Sequence, residues 1–250
     1  MKKFKHNYRA FTLSEVLIAL VITGVIAALT TGVVIENYQK REAITGLKKC
    51  YTMLLNAATK YQAEKGLHID YFDTSLAPKA FMEEYFLPYI QTMKYCGTFQ
   101  DCYGNSRPPK AIDGTTLVNV PFGVILADGK ILGCYGQNTS IVIFVDINGR
   151  KGLNRSGRDI FNFLVFSKDA DRTDANCETT AKNVVSGVYL GSYDSCYLPH
   201  ATRSREQLLA SSAVHRACNK NAPAITEGSG DACALVIAKD SWQIKEDYPW

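Results

Sequence analysis

The most regular pattern in the chain is also its least polar. Residues 16–35 read VLIALVITGVIAALTTGVVI, without a charge and with only Thr and Gly among the apolar side chains. Twenty helical residues rise about 30 Å, the thickness of a bilayer's hydrocarbon core. Past Glu36 the pattern becomes amphipathic. Ile44, Leu47, Tyr51, Leu54, Leu55, Ala58 and Tyr61 recur at three- and four-residue spacing, with Lys40, Arg41, Lys48, Lys49, Lys60 and Lys65 mainly off that stripe. Gly66 then supplies a helix stop. A single helix from Phe11 to Lys65 would be about 80 Å long at about 1.5 Å per residue. Its first part belongs in an apolar medium and its second buries one face against a sheet.

Further along, Pro78 opens a second helix with Phe81, Met82, Tyr85, Phe86, Tyr89 and Ile90 on its apolar face, and the CGTFQDC segment follows as a loop. Strand signals come next. TLVNVPFGVIL, then ADGK, then ILGCYG reads as a hairpin turning at Asp128-Gly129. SIVIFVDI and DIFNFLVF supply two more β-rich runs. The pattern predicts an antiparallel sheet of about four strands against the long helix, an α+β head. Residues 168–250 are weakly periodic. Within them SREQLLASSAVHRAC reads as a short helix and ACALVIA as a strand at a sheet edge, and KDSWQIKEDYPW reads as a tail closing over the sheet or as a contact with another subunit.

Charge adds a division. The 250 residues carry 28 Lys+Arg against 24 Asp+Glu, a net +4. Lys2, Lys3, Lys5 and Arg9 lie in the first ten residues, which hold no acid, so 28 − 4 leaves 24 bases against 24 acids in residues 11–250. A basic leader before an apolar run predicts a cytoplasmic N-terminus. The balanced remainder predicts no basic face and therefore no nucleic-acid partner. A cleaved secretory signal is the plain competitor, but its apolar region should be about 7–15 residues long.

Glu15 stands at the mouth of the apolar run. A carboxylate in a membrane costs roughly 2.5–3.5 kcal/mol on insertion scales and so seeks a partner. Cleavage between Ala10 and Phe11 would create an amine four residues before it, one helical turn away.

These residues carry a family resemblance. The short basic leader, Phe11, Thr12, Leu13, Glu15 and a long apolar helix with Gly24 and Ala27-Ala28 resemble the N-terminal processing segment of type IV pilins and type II secretion pseudopilins. The resemblance covers about the first 65 residues closely and the rest in outline. The chain departs from the family in having Ala10 where Gly is usual, and Gly32 where many members have proline.

The resemblance implies a pilin-like α+β fold with a cysteine-rich C-terminal region. Its parts would be a leader at 1–10, a transmembrane or filament-core helix at 11–36, the amphipathic half at 37–66 and a periplasmic or extracellular head at 67–250. It implies cleavage after Ala10 by a prepilin peptidase, methylation of the Phe11 amine, and neutralisation of that amine by Glu15 of an adjacent subunit. Its implied partners are other subunits, the peptidase, the inner membrane and an assembly platform. The competing readings are a minor, tip-located pilin that binds a surface or substrate, and a non-assembling single-pass periplasmic protein.

Two further features bear on chemistry. The DINGRKGLNRSGRD loop at 146–159 offers Asp146, Asn148, Asn154 and Asp159 as oxygen donors for a calcium ion. Arg150, Lys151, Arg155 and Arg158 oppose a cation, and the same side chains suit a turn that satisfies its own backbone amides. No other cofactor is expected. The eight cysteines avoid the leader and the apolar run, which fits disulfides made in an oxidising compartment. Loop length suggests Cys96–Cys102, Cys177–Cys196 and Cys218–Cys233, leaving Cys50–Cys134 to staple helix to sheet. A zinc site is disfavoured because no CxxC pair exists. There is no GxSxG, Walker loop, GxGxxG or HExxH, so a structural subunit is expected rather than an enzyme.

Overall fold

A computed structural model describes residues 11–66, 72–117, 119–137, 140–167, 186–193, 199, 201, 203–210, 217–221 and 230–250. The chain divides into two units, Met1–Glu42 and Ala43–Trp250. Helix α1 runs Leu13–Lys65 and contributes to both.

In the first unit α1 is exposed on all sides through residue 38. Its threonines bond back onto the helix. Thr23 Oγ1 donates to the Ala19 carbonyl at 2.7 Å and Thr30 Oγ1 to the Ile26 carbonyl at 2.9 Å. The outer surface of the run is left effectively apolar, as a hydrocarbon surround requires.

In the second unit six strands form one antiparallel sheet in chain order: β1 (Thr92–Gly97), β2 (Phe122–Leu126), β3 (Ile131–Gln137), β4 (Ser140–Asp146), β5 (Ile160–Phe166) and β6 (Gly187–Leu190). The α1 residues Ala43, Leu47, Cys50, Leu54, Ala57, Ala58 and Tyr61 are buried. They face Val124, Leu132, Ile143, Phe163 and their neighbours. The buried line is rotated from the expected stripe. Ala43, Cys50 and Ala57 let the helix approach the sheet closely, while Ile44, Tyr51 and Leu55 flank the contact half-buried. Helix α2 (Pro78–Tyr85) adds Phe81, Met82 and Tyr85 to the same core.

The other face of the sheet is covered by the segment between β1 and β2, which contributes Phe99, Cys102, Tyr103, Leu117 and Val120. Glycines permit that cover. A Cβ on Gly123 would stand 2.3 Å from the Thr98 carbonyl oxygen, and one on Gly133 2.6 Å from the Phe99 ring. Burial on both faces explains why β4 and β5 read as near-continuous apolar runs rather than as alternations.

Two strands exceed the four expected. β1 lies at the sheet edge with Thr92 to Tyr95 exposed and its pairing interrupted by register shifts. Its sequence, TMKYCG, therefore lacks an alternating apolar face. ACALVIA is also corrected: Cys233–Lys239 is a helix, α4, buried from Cys233 through Ile237. A short apolar run enclosed on all sides has no period to separate strand from helix.

Helix α3 (Arg205–Leu209) is a single turn opened by a capping box between Ser204 and Gln207. The C-terminal tail packs on the head. Tyr248 is buried and its hydroxyl donates to the Gly157 carbonyl, while Arg158 lies 4.8 Å over the Trp250 ring.

Candidate processing and assembly site

The N-terminus of α1 is built by residues 11–16. Phe11 precedes the helix and is 83% exposed. Thr12 is its cap. The Thr12 backbone N–H and hydroxyl both donate to Glu15 Oε2 at 2.8 Å, and the Glu15 N–H donates to Thr12 Oγ1 at 3.3 Å. This reciprocal pair satisfies two donors that a helix start leaves over. The T-x-x-E spacing of Thr12 and Glu15 is the sequence signature of this cap. Glu15 thus enters the apolar run with local partners, one turn from the Phe11–Thr12 peptide.

Residues 5–31 match the family model of the prokaryotic N-terminal methylation motif. The chain carries the prepilin-type signal of type IV pilins and pseudopilins. No curated protein and no solved structure matches the chain. The matched residues of the prepilin-type signal span Ala10, Phe11 and Glu15 together with residues 16–31 of the apolar run. Ala10 lies outside the described residues. Helix α1 is long and apolar enough to cross a membrane, and its apolar window is unburied. Together with the prepilin-type signal that overlaps it, this makes a membrane-anchored protein with one such helix among the described residues.

The four oxygen-bearing side chains of the 146–159 loop are used within the head. Asp146 is fully buried. Its Oδ2 accepts from the Tyr103 hydroxyl at 2.7 Å and its Oδ1 from the Asn148 N–H at 3.1 Å. Burial raises its carboxyl to about 8, against the pull of these donors. Asp159 accepts from Asn148 Nδ2 at 2.8 Å, and burial raises its carboxyl too. Asn154 turns the chain at φ 50° and donates to the Arg107 carbonyl at 2.6 Å. The loop therefore brings Asp146, Asn148 and Asp159 together and spends Asn154 on a different segment. Among the described residues no group of three His, Cys, Asp or Glu stands where it could hold a metal ion. Tyr103 comes from 43 residues away, so no local pattern announces it as the partner of Asp146.

Cys96–Cys102 and Cys218–Cys233 are bonded. Cys177 and Cys196 lie outside the described residues. The staple between Cys50 and Cys134 is corrected, for both are buried free thiols. Cys134 Sγ donates to the Pro78 carbonyl at 3.4 Å, beside α2. Cys50 lies on α1 within the same core and feels the charges of Lys130, Asp128, Lys49 and Asp146. Burial pushes the Cys50 thiol up to about 12.

Proposed function

We propose that this chain is a filament subunit, a pilin or pseudopilin of a type IV pilus or a type II secretion system. The observation that supports the reading is the methylation motif at residues 5–31 leading directly into an exposed apolar helix with one carboxylate at its mouth. The basic leader holds the N-terminus in the cytoplasm and sends the head across the inner membrane. A prepilin peptidase cuts after Ala10 and the new Phe11 amine is methylated.

In the isolated subunit Thr12 occupies the Glu15 carboxylate. On assembly that carboxylate meets the Phe11 amine of a neighbouring subunit. Two desolvated opposite charges then replace one charge held by local hydrogen bonds. The apolar helices pack side by side, and a head-to-tail contact that does not close on itself produces an open helical fibre. The chain is accordingly a substrate of enzymes rather than an enzyme, and it requires no cofactor.

N-terminal mass spectrometry tests the processing step. The mature chain is expected to begin at methylated Phe11; retention of Met1–Ala10, or a cut near Ala28, refutes it. Glu15→Ala is expected to be cleaved but left out of filaments, and normal assembly of that variant removes the pairing role.

A further inference from the structure

The overall charge of the mature chain is balanced, yet the fold segregates it. Residues 101–116 and 149–158 are joined side by side. The Lys110 N–H donates to the Asn154 carbonyl and the Ser156 N–H to the Lys110 carbonyl, both at 2.8 Å, and Arg150 Nε donates to the Cys102 carbonyl at 2.7 Å. The two segments bring together Arg107, Lys110, Arg150, Lys151, Arg155 and Arg158, six cations, against two acids, Asp101 and Asp113. Both acids are engaged in their own turns, with Thr98 and Thr115 respectively. Of the other nearby carboxylates, Asp146, Asp159 and Asp231 are buried and Asp128 is paired with Lys49 and Lys130. Among the described residues no ion pair takes up Arg107, Lys110, Arg150, Lys151 or Arg155.

An apolar side chain sits in the middle of this patch. Leu153, between Lys151 and Arg155, is 39% exposed. Apart from α1 and Phe11 before it, Met93 and Tyr95 are the only other large apolar side chains among the described residues that stand so open. Cations around an exposed leucine suit a phospholipid surface, where phosphates take the charges and the leucine reaches the acyl boundary. A nucleic acid would use the cations but has no place for the leucine. The patch also adjoins the part of α1 that belongs to the head. Ile147, three residues before Arg150, packs on Gly46, at 3.0 Å from the position a Cβ there would take.

We propose that the joined loops 101–116 and 149–158 form a second membrane contact, a basic patch with Leu153 at its centre that docks on anionic phospholipid headgroups. Binding follows the charge of the bilayer surface and weakens with salt, since the screening length falls to about 3 Å at about 1 M.

The test is hydrogen–deuterium exchange of the full chain in nanodiscs of phosphatidylcholine alone or mixed with phosphatidylglycerol. Protection of residues 16–35 in both discs reports that the anchor is seated, so the head is read separately. The expected result is slower exchange across 104–110 and 149–156 in the anionic discs only, lost at high salt and lost in the R150E/K151E/R155E variant. A Leu153→Trp variant should add emission that brominated phosphatidylglycerol quenches, which keeps the proposal testable if the charge reversals disturb folding. Equal exchange in the two discs overturns the proposal. So does protection in anionic discs that persists in the charge-reversed variant, or protection that duplex DNA elicits in neutral discs while phosphatidylglycerol does not.

Discussion

Arg205 joins the C-terminal tail to the rest of the head, and its removal gives a measurable prediction. Its Nε donates to Asp240 Oδ1 at 2.6 Å, while Nη1 and Nη2 donate to the two oxygens of Asp247 at 2.7 and 2.6 Å. Asp240 is nearly inaccessible, with a side chain 1% exposed, and Lys245 contacts the same Oδ1 at 2.7 Å. In Arg205→Ala a buried carboxylate keeps only the half-exposed lysine. Breaking a buried pair costs about 3–5 kcal/mol, and the surviving Lys245 places this case near about 3. For a unit of about 200 residues each kcal/mol moves Tm by about 2–4 °C, so the expected loss is roughly 6–12 °C.

The assay is thermal unfolding of the full chain in detergent, followed by near-ultraviolet circular dichroism across pH. Burial by itself would raise the Asp240 carboxyl, but Arg205 and Lys245 reverse this and leave it below the usual range; Arg205 lowers Asp247 as well. An acid whose folded pKa is depressed contributes stability above its unfolded pKa and loses it as pH falls through the folded value. The gap between wild type and variant should therefore be full above about pH 4, near the unfolded aspartate value, and close below it. A gap that persists at low pH would mean that Arg205 acts by packing rather than by charge, and would refute the reasoning.

Three other outcomes follow from particular contacts. Gly133→Ala forces a Cβ into the Phe99 ring and should cost about 1–3 kcal/mol in chemical denaturation; a neutral effect would show that the 98–103 cover does not press on the sheet. Asp146 has the opposite sign from Asp240. Its raised pKa favours the protonated form in the folded chain, so its contribution falls as pH rises from about 4 to about 8, and Asp146→Asn should remove that slope from the stability curve. Because the loop's carboxylates already accept donors from the protein, millimolar calcium is expected to leave Tm unchanged, and a calcium-dependent rise would reassign the loop as a metal site. Peptide mapping after alkylation under denaturing, non-reducing conditions should label Cys50 and Cys134 and spare Cys96, Cys102, Cys218 and Cys233; under native conditions burial should protect Cys50 and Cys134.

What could be read directly from the chain was whatever depends on neighbours in sequence. A charge-free run of bilayer length, a basic leader and a carboxylate at Glu15 are local facts, and they were enough to indicate the anchor and its processing signal. The Asp128-Gly129 hairpin and the four central strands were legible for the same reason, as turn chemistry next to sustained apolar runs. The tertiary structure decided what depends on who lies opposite. β1 is a strand because β2 pairs with it, although its exposed edge position left no pattern. Cys233–Lys239 is a helix whose residues 233–237 are all buried, so its apolar run carries no period that would tell helix from strand. Cys50 and Cys134 remain buried thiols, on α1 and in the middle of β3, because sharing a core does not by itself bring two sulfurs to bonding distance. The clearest case is charge. Equal numbers of acids and bases along residues 11–250 predicted no basic face, yet two loops some forty residues apart bring six cations to one place. Composition sums charge over the chain, whereas electrostatic interaction depends on distance, and only the fold sets the distances.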